Sequence, residues 1–195
     1  MDLTERVKNI ILQPAEEWQV IEKEPTTVAD LYTSYIMPLA AIGPVASIIG
    51  LSVIGVTIPF TGTYRVPLIT AVGHAVVTYA LALAGVYVLG LIIDALTPTF
   101  NATKNSLQAL KVAAYSSTAG WLVGIFNLIP ALAFLQIFGL YSLYLLYLGL
   151  PILMKSPPDK TLAYTVVVII AAVIIFAIIG AVGSAFISYP LAVRP

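Results

Sequence analysis

Cysteine is absent from the 195 residues, and histidine occurs once, as His74. The first absence excludes disulfides, thiolate metal sites and thiol nucleophiles together. The second leaves no histidine pair to hold a metal or to share acid and base work. Charge is scarce too: Asp, Glu, Lys and Arg make up 9% of the chain, against about 25% in soluble domains. These charges sum to a formal net charge of zero, so there is no basic footprint for nucleic acid. No HExxH helix and no GxSxG elbow occurs. No residue is therefore assigned a catalytic, metal-ligating or cofactor-binding role, and a non-enzyme is expected.

What the chain has in excess is grease. Hydrophobic residues make up 60% of it, where soluble domains carry about 45–50%. A globule of this length cannot hide that much apolar surface, so lipid must be the solvent for most of the chain. An all-α integral membrane protein follows. The charged residues crowd into a polar arm at 1–33, ahead of a membrane body at 34–195. The mixed-charge start MDLTERVKN does not read as a cleavable signal, so the first apolar segment is expected to stay in place.

A helix needs roughly 20 apolar residues to cross the hydrocarbon. That length predicts five spans, at about 35–56, 67–93, 107–129, 131–154 and 162–187. Pro38 and Pro44 predict a distorted first span, and Pro157 with Pro158 ends the helix before the fifth. With five spans, Arg6, Lys8, Lys23, Lys104, Lys111, Lys155 and Lys160 share one side, leaving only Arg65 and Arg194 opposite. Seven positive charges against two place the amino terminus in the cytoplasm and the carboxyl terminus outside.

Polar residues inside the spans are candidate functional positions. Thr78, Tyr79, Ser116, Ser117, Thr118, Tyr141 and Tyr144 fall at similar depth and form a candidate polar layer, which either packs helices together or lines a cavity. His74 sits about two turns inside the outer end of the second span. Asp94, at its inner end, is expected to mark the boundary, pair with Lys104 or Lys111, or meet a ligand. Gly120 and Gly124 form a GxxxG, and Gly180 with Ser184 repeats the spacing; such faces serve helices of one chain or of a homo-oligomer.

In the arm, Leu3, Val7, Ile10 and Ile11 share one helical face, and Pro14 opens a second helix with Trp18 and Ile21 on its apolar side. These helices are expected in the headgroup layer or packed beneath the bundle. Thr27 with Asp30 is a capping box that starts the next helix near Val28.

The segments PAEEW, EPTTVADLYTSYIMPLAAIGP, VYVLGLIIDALTPTF, ALKVAAYSSTAGWLVGIFNLIP and LYSLYLLYLGLPILMKSPPDKTLAYT together resemble the Ypt/Rab-interacting-protein (YIP domain) membrane family, in its bacterial branch. The resemblance implies a five-span body with a cytoplasmic amino terminus. Eukaryotic relatives are associated with Rab GTPases, but a bacterial-type chain has no Rab partner, so that role is not carried over. Two functions are weighed. One is a non-enzymatic membrane scaffold, with the lipid bilayer and a second copy or another membrane protein as partners. The other is a passive channel or facilitator for a small neutral solute through the polar layer.

Overall fold

A computed structural model describes residues 2–58 and 62–185 of the chain. The arm forms two helices, α1 (Leu3–Leu12) and α2 (Pro14–Lys23). Gln13 leaves helical geometry at φ −137° and ψ 55°, and Pro14 restarts the helix where its missing N–H is not needed. At Thr27 the expected cap forms in its N-cap half: the hydroxyl accepts the Asp30 N–H at 3.1 Å and donates to its carboxylate at 2.7 Å.

Helix α3 (Val28–Ile54) then runs the length of the molecule with π-helical turns at Tyr32–Ile36 and Gly50–Ile54 and an interruption at Ala41. The first π turn and the interruption fall just before Pro38 and Pro44, each of which removes a donor from the helical ladder. A short antiparallel hairpin follows, β1 (Val56–Ile58) with β2 (Gly62–Tyr64), in which Val56 faces Tyr64.

The remainder is helical: α4 (Leu68–Leu96), α5 (Ser106–Ser116), α6 (Thr118–Val123), a 3-10 turn at Gly124–Leu128, α7 (Pro130–Leu153) and α8 (Pro158–Ser184). The first part of α7, Pro130–Leu140, is 3-10. Asn101, in the turn after α4, takes φ 53°, a left-handed position that asparagine tolerates.

Among the described residues, four helices are long and apolar enough to cross a membrane: α3, α4, α7 and α8. They match the expected first, second, fourth and fifth spans, although residues 186 and 187 of the last lie outside the described residues, as does Arg194. The expected third span, 107–129, departs from a continuous helix. It breaks at Ser117, where the backbone N–H bonds the Ala114 carbonyl three residues back. The cause is local. Ser117 donates its hydroxyl to the Ala113 carbonyl at 2.7 Å and Thr118 to the Tyr115 carbonyl at 2.7 Å, so side chains compete with the ladder at consecutive positions.

The outer faces of α4, α7 and α8 carry exposed Ile69, Val76, Phe134, Ile137, Ile170 and Phe176, as a lipid-facing surface requires. Every residue of α5 from Ala109 to Ser116 is buried, between α4, α7 and the arm. The apolar core gathers at the arm end, where Ile10, Trp18 and Ile21 join Tyr35, Ile93, Val112, Leu145 and Tyr164.

Candidate functional site

Two constructions occupy the two ends of the bundle. At the arm end, Arg6 of α1 is 4% exposed, and its guanidinium pairs with the carboxylates of Glu17 and Glu24. The same group lies 5.7 Å from the centre of the Tyr115 ring, close enough for a cation–π contact. Tyr115 in turn meets Trp18 edge-on at 6.2 Å and Tyr35 at 4.4 Å. Lys111 of α5 is buried and donates to the carbonyls of Ile21 and Glu24 at 2.8 and 2.7 Å. Helix α2 ends there, with unpaired carbonyls and the negative pole of its dipole, so a lysine from another helix closes it. Gln108 donates to the Glu22 carbonyl at 3.0 Å, Tyr141 to the Ile11 carbonyl at 2.9 Å, and Lys155 pairs with the Glu22 carboxylate. The arm is thus fastened to α5 and α7 and shares their core.

At the hairpin end a cavity of about 590 Å³ opens among α3, α4, α6, α7 and α8. Its polar lining among the described residues comprises Ser47, His74, Thr78, Ser116, Ser117, Asn127, Gln136 and Ser142, and none of these residues is Asp, Glu, Lys or Arg. Most of the hydroxyl protons are already committed. Ser47 donates to the Pro44 carbonyl at 2.7 Å, Thr78 to His74 at 2.8 Å, and Ser117 to Ala113. Their oxygens therefore face the cavity as acceptors, while Ser142, which accepts the Gly120 N–H at 3.0 Å, keeps its proton to donate. The Nδ1 of His74 is buried and has no hydrogen-bond partner among the described residues.

Of the seven residues expected in the polar layer, Thr78, Ser116 and Ser117 line this cavity. Thr118 is turned away, sharing a 2.7 Å hydrogen bond with Tyr35. Tyr79 donates to the Met37 carbonyl at 3.1 Å and Tyr141 to Ile11, so both tie helices together. Tyr144 is 49% exposed on the outer surface.

His74 lines the cavity with its Nε2 beside Gly183, where a β-carbon would stand 3.2 Å away. The expected pairing of Asp94 with Lys104 or Lys111 does not form among the described residues. Lys111 is drawn instead to the end of α2, and the Asp94 carboxylate, though largely buried, has no hydrogen bond or ion pair there. Sequence reasoning missed Arg6 and Lys111 as fasteners, and Ser47, Asn127, Gln136 and Ser142 as lining. One available signal was Gly149 inside the bulky run LYLGLP, a gap that a large side chain fills.

The pattern of the Yip1 domain matches residues 8–180, most of both constructions included. The chain belongs to the Yip1 domain family. It is 28% identical over 163 residues to the Inner membrane protein YohC of Escherichia coli strain K12, covering 82% of this chain and 84% of that protein. The same identity and coverage hold for the protein of that name from Escherichia coli O6:H1. No solved structure matches the chain. In this Yip1 domain the match begins within α1, so α2 and the second half of α1 lie inside the family's pattern, while Arg6 stands just ahead of it.

Proposed function

We propose that this Yip1-domain protein is a non-enzymatic scaffold of an inner membrane, crossing it five times with its amino terminus in the cytoplasm. The observation that carries the reading is the fastening of the arm: Arg6 bridges Glu17 and Glu24 while Lys111 closes α2. A face built this way presents Glu22, Lys23 and Lys155 at fixed positions, a preorganised surface on which a partner loses little entropy by docking. Support for the inner membrane comes from the name of the relatives, and support for the orientation from the lysine and arginine bias. Division of the third crossing between α5, α6 and the following 3-10 turn is compatible with five crossings, because neighbouring helices cover irregular backbone at depth.

Because the chain has no cysteine, single introduced thiols report cleanly. Lys104→Cys is expected to resist an impermeant maleimide in intact cells, and Arg65→Cys to react. Photocrosslinkers at Glu22 and Lys155 should then trap a defined protein at near-equal amounts. Labelling of Lys104→Cys from outside rejects the orientation, and a protein that is always solitary rejects the scaffold. The cavity favours a second reading, a facilitator for a small neutral solute. Flux into proteoliposomes no greater than into empty vesicles would remove it.

A further inference from the structure

We propose that the cavity at the hairpin end is a binding site for a single-chain amphiphile with an uncharged hydrogen-bonding headgroup, admitted sideways from the bilayer between α7 and α8. The inference is independent of the scaffold reading, since it concerns the opposite end of the bundle. Three observations carry it.

The cavity is long. On α4 its lining runs from His74 to Leu89, about 22 Å at a rise of about 1.5 Å per residue. Its volume of about 590 Å³ falls in the range of about 300–1,000 Å³ seen for ligand sites. It is also graded. Near the hairpin stand Ser47, His74, Asn127 and Gln136; Ser116, Ser117 and Ser142 lie lower, the first two with their hydroxyls turned back to the Ala113 carbonyl, and the arm end is floored by buried Leu89 and Leu146. That order matches a polar head above an apolar tail. Third, Leu140 of α7 and Val173 and Phe176 of α8 line the cavity and are also 61%, 59% and 62% exposed on the outer surface. The mouth is therefore rimmed by side chains that face lipid, which suits an occupant drawn from the membrane.

The headgroup follows from the lining. With no charged side chain among the described lining residues, a phosphate or carboxylate would lose its hydration without a counter-ion, which is costly. An uncharged polyol fits: its hydroxyls donate to the acceptor oxygens of Ser47 and Thr78 and accept from the Ser142 hydroxyl.

The chain holds two tryptophans, and Trp121 lines the cavity while Trp18 lies fully buried in the arm dock. A monoacylglycerol brominated along its chain, added to the full-length protein in phospholipid nanodiscs, should quench fluorescence saturably, and Trp121→Phe should remove that component. Gly180→Leu at the mouth, where a β-carbon meets nothing within 4 Å, and Ala82→Phe inside should each weaken the saturable component at least about tenfold. The same chain on a lysophosphatidylglycerol should also bind at least about tenfold more weakly. Quenching that rises without saturation, as for bulk lipid, or that both filling variants leave unchanged while their melting curves stay normal, overturns the site. Equal binding of the anionic probe overturns the assignment of the headgroup.

Discussion

The indole of Trp18 rests on Gly149: a β-carbon at position 149 would stand 2.6 Å from Cζ2 and 2.8 Å from Cε2 of that ring. Gly149→Ala thus sets two effects against each other. Alanine raises helix preference by about 1 kcal/mol, while forcing a fully buried ring aside costs about 1–3 kcal/mol. The clash is expected to win, because Trp18 has packed neighbours on its other side. Thermal unfolding in detergent should show Gly149→Ala less stable than the parent, with the loss shrinking in the Trp18→Leu background. An additive double mutant would reject the contact.

Arg6 is held between two carboxylates, and Glu17 is as deeply buried as the arginine. Removing one partner of such a pair strands the other charge, at a cost of about 3–5 kcal/mol. Arg6→Met should release the arm and expose Lys8 and Lys23 to trypsin. Arg6→Met with Glu17→Leu should recover much of the protection, since an apolar pair of similar volume leaves no buried charge. If the double variant is cut as fast as the single one, the lock is not electrostatic.

Lys111→Met leaves the carbonyls of Ile21 and Glu24 without their charged donor, a loss of about 1.5–3 kcal/mol per hydrogen bond to a charged group. Hydrogen exchange of the α2 amides is expected to accelerate, while α8, which accepts none of the Lys111 hydrogen bonds, should keep its protection. Uniform acceleration through the bundle would mean that Lys111 supports the fold at large.

The glycines of the hairpin end differ sharply in the space around them. A β-carbon on Gly50 would overlap the Asn127 carbonyl, and one on Gly124 would stand 2.8 Å from the Gly43 α-carbon, whereas at Gly120 the nearest atom is the Ser142 hydroxyl at 3.5 Å. Gly50→Ala and Gly124→Ala should lower the melting temperature by several degrees, and Gly120→Ala should leave it nearly unchanged. The contact of Gly124 with Gly43 lies within one chain. Loss of oligomer without loss of stability in Gly124→Ala would place the GxxxG between chains.

How far the sequence reached depended on the range of the signal. Span length and the Thr27 cap are local properties, and α3, α4, α7 and α8 appear where apolar runs are longest. The break at Ser117 was not legible, because three successive hydroxyl residues read equally well as a polar layer. The arm dock was hidden for another reason: Arg6 and Glu17 are eleven residues apart and Lys111 and Ile21 ninety, and only the folded bundle brings them together. Thr78, Ser116 and Ser117, expected at similar depth, line one cavity. Depth carried no information about rotation, which decides that Thr118 faces Tyr35 and that Tyr144 faces outward.

Helix α5 is enclosed by protein from Ala109 to Ser116 and carries Gln108 and Lys111, both bonded to the arm. Such a segment gains nothing from residing alone in hydrocarbon, where its amine and amide would be bare. During biogenesis it is expected to enter alongside α4 and α7, and the arm, although synthesised before them, can take its seat only once α5 and α7 are in place.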